Sequence, residues 1–199
     1  IMDTGQRMII SFLPIFARGL KVDLEEIALV ISFRYLLGVF APYTGLFVEN
    51  KGTTKGMIVG MIFFIFAYGL FSIIPIYPLF FVLLIFATLG RMFFNPSMQA
   101  YVGSNSDLKN RGFVMSIPEI GWSAAAIIGV PIVGLLIEKG GWKASFPWFA
   151  LLGGLILLGL WIWLPSKTAE QGNNLNLSKA IGTVINNKFI LLLFITILL

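Results

Sequence analysis

Between Met57 and Ile74 the chain runs the length of a membrane span without one charged side chain. A bilayer core about 30 Å thick takes roughly 20 apolar residues as helix, because lipid offers no partner to a free backbone N–H or C=O. Runs of this kind recur along the sequence and restrict it to one class of fold. Hydrophobic residues make up 58% of the 199 positions and charged ones 12%, with a mean hydropathy of +0.92. Soluble domains sit near ~45–50% and ~25%. The chain therefore reads as an all-α, polytopic membrane helix bundle whose first partner is the lipid bilayer.

Six spans follow in order, at about 1–16, 27–48, 57–74, 79–102, 113–137 and 146–164, and a seventh begins at Phe189. The stretch Gly45–Gly56, GLFVENKGTTKG, reads as a short polar loop between the second and third. Asp23 stands where a helix cap would, ahead of Glu26. Pro75 and Pro78 confine the next turn to a few residues, since neither can continue a preceding helix. Pro165 closes the sixth span, and Ser166–Lys188 is a longer Asn/Ser-rich connector. The chain opens at an isoleucine inside apolar sequence and stops within FILLLFITILL, so it reads as a fragment. The expected division is a six-helix bundle over 1–165, a cytoplasmic connector over 166–188, and the start of a seventh helix over 189–199.

The net charge of +5 reflects loops rather than a nucleic-acid surface. Lys51, Lys55, Lys109, Arg111, Lys167, Lys179 and Lys188 follow spans two, four and six, whereas the opposite connectors mix Arg18, Lys21, Lys139 and Lys143 with acids. Basic residues collect on the cytoplasmic side, which places the first set there. With no cysteine and no histidine, disulfides, thiolate chemistry and imidazole metal sites are excluded, and no metal or cofactor is expected. Nor is there a nucleophile–base pair or a phosphate loop, so the chain does not read as an enzyme. Gly56 and Gly60 form a helix-packing signal instead.

Five ionisable residues fall inside spans: Asp3, Arg7, Arg34, Arg91 and Glu119. Such a residue costs about 2.5–3.5 kcal/mol at a helix centre on insertion scales, so it needs a partner or a watery cavity. Asp3, Arg7 and Ser11 recur at helical spacing, as do Arg91, Asn95 and Gln99, and then Ser116, Glu119 and Ser123. Spans one, four and five are thus expected to line a polar interior, with Asp3, Arg7, Arg91, Asn95 and Glu119 on the pathway. The plainer alternative is that these charges lock helices together, Asp3 and Arg7 satisfying one another within one helix. Spans three and six are apolar all round and are expected to face lipid. Gly38, Ala41 and Gly45 on the second span, and Gly121, Gly129 and Gly134 on the fifth, permit close approach, while Pro131 should kink the fifth helix.

These features together resemble the amino-terminal half of a major facilitator superfamily transporter. Gly45, Glu49 and Gly52 match that family's loop between spans two and three, G-x-L-a-D-r-x-G-r-[rk], with Glu49 in place of aspartate and Lys55 near the basic positions. Arg91 resembles its intramembrane arginine in R-x-x-q-G, although Asn95 stands where glycine is usual. The run Gly129–Gly134, GVPIVG, is similar to the G-P-x-x-G-G bend of the antiporters, and DLKNRG, Asp107 to Gly112, to the loop between spans four and five.

The resemblance implies two inverted three-helix repeats per half and a missing carboxy-terminal half. It further implies secondary active transport of a small molecule by alternating access. Proton-coupled efflux of amphiphilic compounds across the cell membrane leads. Uptake of a sugar, organic acid or other metabolite is the alternative, and a non-transporting sensor or assembly subunit is the rival. Gly45, Glu49, Gly52 and Lys55 would form a gating loop; Gly129, Pro131 and Gly134 would form a helix bend.

Overall fold

A computed structural model describes residues 1–107 and 109–164. The connector 166–188, its lysines, the closing Pro165 and the seventh span lie outside the described residues. Within them every regular element is helical. The first apolar segment folds as α1 (Met2–Ser11) and α2 (Leu13–Leu20), interrupted at Phe12. Pro14 has no N–H to donate and stands in the first turn of α2, where that loss is tolerated. The second segment is α3 (Leu24–Tyr35), a 3-10 turn (Leu36–Phe40) and α4 (Ala41–Lys51), with Pro42 opening α4 in the same manner. Asp23 occupies the N-cap position of α3 in extended backbone, but its side chain caps nothing.

Four longer helices follow. They are α5 (Thr53–Ile73), α6 (Tyr77–Ser104), the pair α7 (Arg111–Ala124) and α8 (Val130–Gly140), and α9 (Ser145–Trp163). A π turn (Ala125–Gly129) joins α7 to α8 without a break in the helix. These four are long and apolar enough to cross a membrane. The first two segments are each divided among shorter helices, so the count of six spans is not established by helix length.

Helix α5 buries one side at the centre of the molecule and turns Ile62, Phe66 and Ile73 outward on another, so the expectation that the third span sits on the outside of the bundle holds for one of its faces only. It packs most extensively on α6 and next on α9, and it holds the largest buried share of the four spans. Gly60 and Gly90 make the α5–α6 contact possible: a Cβ at Gly60 would lie 2.5 Å from the Gly90 carbonyl oxygen, and one at Gly90 2.7 Å from that of Gly60. Below this seam Phe64, Tyr68 and Phe71 meet Phe146 and Phe149 of α9. Ring centroids lie 4.6 Å apart for Phe71–Phe146 and 5.1 Å for Tyr68–Phe149. Phe16 of α2 closes the cluster at 5.6 Å from Phe146. A helix apolar all round is equally at home against lipid tails and protein, so composition does not decide; small residues that admit a neighbouring backbone do. Helix α9 does expose one side, with Leu155, Trp161 and Trp163 outward.

Candidate functional site

Asp3 and Arg91 meet across two helices. Asp3 Oδ1 of α1 lies 3.2 Å from Arg91 Nη2 of α6, with 30% of the arginine side chain and 25% of the aspartate reaching solvent. The approach is off the line of a hydrogen bond, so Asp3 Oδ1 accepts none. Arg91 Nη1 donates instead to Oε1 of Gln6, one turn after Asp3. One guanidinium thus spans two positions on a single face of α1, as their i, i+3 spacing allows. The partner of Asp3 is therefore Arg91 and not Arg7.

Beside this pair opens a cleft of about 390 Å³, walled by Gln6, Thr44, Gly45, Thr88, Arg91 and Asn95 among others. The first, second and fourth segments build it. The fifth does not reach it, which corrects the expected lining by spans one, four and five. Asn95 joins Arg91 in the wall, while Gln99, one turn further on, is exposed. Behind the cleft, sharing Gln6, Thr88 and Arg91 as walls, is a chamber of about 10 Å³ that Arg34 and Tyr68 also line. That is room for about one water-sized atom.

Arg34 is only 3% exposed. Its Nη2 donates to the Tyr35 hydroxyl at 3.3 Å, and its guanidinium carbon lies 5.0 Å from the centre of the Tyr35 ring. Its Nε has no acceptor. Among the described residues, Asp3–Arg91 is the ion pair the structure forms, and Arg34 stays without a carboxylate.

Arg7 faces the other way, with its guanidinium carbon 3.9 Å from the centre of the Trp122 ring on α7. Its Nε is buried without an acceptor. Glu119, one turn before Trp122, is exposed, as are Ser116 and Ser123. That stripe is not brought to the Asp3–Arg91 pair. A second, apolar cavity of about 270 Å³ lies between α1, α8 and α9, walled by Thr4, Ile132, Trp148 and Phe149 among others.

The expected gating loop is mostly helix. Gly45 and Glu49 lie within α4 and Lys55 within α5. The turn itself is Gly52 alone, at φ +95 and ψ 152, its N–H closing on the Val48 carbonyl at 2.9 Å. Glu49 and Lys55 are exposed. At the expected helix bend, Pro131 has no N–H for the Ile127 carbonyl, and the hydrogen-bond register widens to a π turn over Ala125–Gly129. A Cβ at Gly129 would meet Thr4 of α1 at 2.5 Å, and one at Gly134 would meet Phe12 at 3.4 Å. Gly38, Gly45 and Gly121 have open space there, so they are not close-packing positions among the described residues.

Sequence reasoning missed Gln6, Thr88 and Tyr68. Gln6 carried a signal, three residues after Asp3 on the same stripe; Thr88 likewise precedes Arg91 by three. Tyr68 carried none, being one aromatic among many.

A family model described as Major Facilitator Superfamily matches residues 1–199. Neither a curated protein nor a solved structure matches the chain. Matched over its whole length, the chain belongs to the Major Facilitator Superfamily and is a membrane transporter by class.

Proposed function

We propose that this chain is the amino-terminal, six-span half of a proton-coupled secondary transporter, built as two inverted three-helix repeats and completed by a carboxy-terminal half. The observation that carries the reading is the Asp3–Arg91 pair between α1 and α6, whose arginine lines the 390 Å³ cleft. Its two members stand on the first helix of each repeat. A proton on Asp3 removes the charge that opposes Arg91, weakens the link between α1 and α6, and lets the repeats move against one another. Glu49 and the Gly52 turn gate that movement, and the π turn before Pro131 gives the fifth span its freedom. The lysines after the second and fourth spans face the cytoplasm of a cell membrane.

Export of small amphiphilic molecules fits the apolar cavity beside α1 and the resemblance of Gly129–Gly134 to an antiporter bend. The charge balance favours a second reading, uptake of an organic acid together with a proton. Protonated Asp3 leaves two guanidinium groups facing a shared space with no counter-charge, and such a site attracts an anion. Purified full-length protein in liposomes separates them. Under an imposed pH gradient, export moves substrate against the proton and uptake moves it with the proton. Transport indifferent to the gradient would refute proton coupling, and no transport of any compound would favour a sensor or assembly subunit.

A further inference from the structure

We propose that the chamber between Arg34 and Arg91 is a carboxylate site: the transported molecule carries a carboxylate that sets one oxygen between the two guanidinium groups. The inference rests on reading the cleft as the transport site, and it assigns the anchoring to Arg34, which neither composition nor the family match singles out.

Three observations carry it. Arg34 is 3% exposed, and its Nε has no acceptor although it lines a cavity. A buried charge of this kind is hard to hold in a membrane bundle, and a hydrophobic residue of similar volume would be easier to accommodate. A charge so placed calls for an anion that arrives from outside. Second, no acid lines the chamber or the cleft, and the nearby carboxylate, Asp3, is engaged with Arg91. Arg34 and Arg91 together exceed Asp3 by one positive charge. Third, the chamber of about 10 Å³ admits a single oxygen-sized atom, while the adjoining cleft of about 390 Å³ admits the rest of a small molecule. A planar carboxylate can offer one oxygen through such an opening and remain outside otherwise. A phosphate or sulfonate spreads its charge over three terminal oxygens, of which the chamber would take only one. Each guanidinium can donate an N–H to that one oxygen, and hydrogen bonds between charged partners are about twice as strong as neutral ones.

The test uses purified full-length protein and three matched probes, benzoate, benzamide and benzylammonium, with inorganic phosphate as a fourth. Binding is read by calorimetry and by the shift in unfolding temperature. Benzoate is expected to bind, with the neutral, cationic and phosphate probes at least ten-fold weaker. Arg34→Gln should lower benzoate affinity ten-fold or more, and Arg34→Lys, which keeps the charge without the fork, by less. Asp3→Asn should tighten benzoate several-fold by removing the competing carboxylate. Arg18→Gln, on the exposed end of α2, should change nothing.

The comparison of benzoate with benzamide needs no variant, so it stands even if Arg34→Gln fails to fold. Equal binding of benzamide or benzylammonium, preference for phosphate, absence of benzoate binding, or full benzoate affinity in Arg34→Gln would each overturn the site. The two proposals fail separately. Benzoate bound but never moved across liposomes leaves the anion site standing and removes the transport reading. Proton-driven movement of a cationic dye, unaffected by Arg34→Gln, does the reverse.

Discussion

The α5–α6 seam gives the sharpest stability prediction. Gly60→Ala would place a methyl group 2.5 Å from the Gly90 carbonyl oxygen, 2.8 Å from the Phe94 amide nitrogen and 2.9 Å from Phe94 Cβ, where real Cβ contacts essentially never fall under 3.0 Å. Two of those atoms are backbone, so no side-chain rotation relieves the clash; the helices must part. Overpacking of this kind costs about 1–3 kcal/mol. A gap of about 0.5–1 Å also forfeits a quarter to a half of each dispersion contact along the seam, which includes Phe63 against Phe86 and Phe93. We therefore place Gly60→Ala at the upper end, about 3 kcal/mol, and Gly90→Ala, whose nearest atom is 2.7 Å away, nearer 2 kcal/mol.

Gly69→Ala is the control. It lies on the same helix, but its nearest neighbour would be Ala150 Cβ at 3.9 Å, an ordinary contact. There the substitution should be neutral or stabilise by about 0.5–1 kcal/mol through backbone entropy. Equilibrium unfolding of the full-length protein in mixed micelles, followed by circular dichroism, would rank the three. If Gly60→Ala and Gly69→Ala unfolded within about 0.5 kcal/mol of one another, the claim that α5 and α6 touch backbone to backbone would be wrong.

Other perturbations follow from local geometry. Gly52 sits at φ +95, ψ 152, a region open in practice to glycine alone, so Gly52→Ala should destabilise by about 1–3 kcal/mol in the same unfolding assay. An unchanged midpoint would remove the single-residue turn. Trp122→Leu takes away the ring beneath Arg7 and should cost about 1–2 kcal/mol, with Trp122→Phe losing less than half of that. Equal effects would mean the ring face does not matter. Arg34→Met replaces a buried, unbalanced charge with an apolar chain and should raise stability by about 1–3 kcal/mol, as burying hydrophobic groups in place of charges often does. A large loss of stability would instead give Arg34 a structural role.

The long helices were legible because hydropathy alone defines them. Spans expected at 57–74, 79–102, 113–137 and 146–164 correspond to α5, α6, the α7–α8 pair and α9, with ends displaced by a few residues. The displacement has a physical source: backbone hydrogen bonding continues into polar sequence, as at Glu49–Lys51 and Thr53–Lys55, until a residue such as Gly52 turns the chain. The interruptions of the first two segments were not read, although Pro14 and Pro42, whose missing N–H groups suit the first turn of a helix, stand just after them. What could not be read was which apolar helix stands at the centre, since lipid and protein interiors ask for the same side chains.

The site was legible in part. Helical spacing put Asp3 and Arg91 on polar faces, and those faces meet. Spacing cannot say which faces meet, so Asp3 was equally compatible with Arg7, and the Glu119 stripe looked no different from the other two. The isolation of Arg34 was also invisible, because the lack of a counter-charge is a property of four segments brought together rather than of any one.

The central claim is that protons act on transport through Asp3 and Arg91. The most direct measurement is pH-gradient-driven transport by the full-length protein in liposomes, wild type beside Asp3→Asn, with substrate flux and proton flux recorded together. The account predicts that Asp3→Asn still exchanges labelled substrate across the membrane at equal concentrations but no longer accumulates it or moves protons with it. If Asp3→Asn accumulates substrate at the wild-type proton ratio, the pair between α1 and α6 is a structural contact and the coupling lies elsewhere.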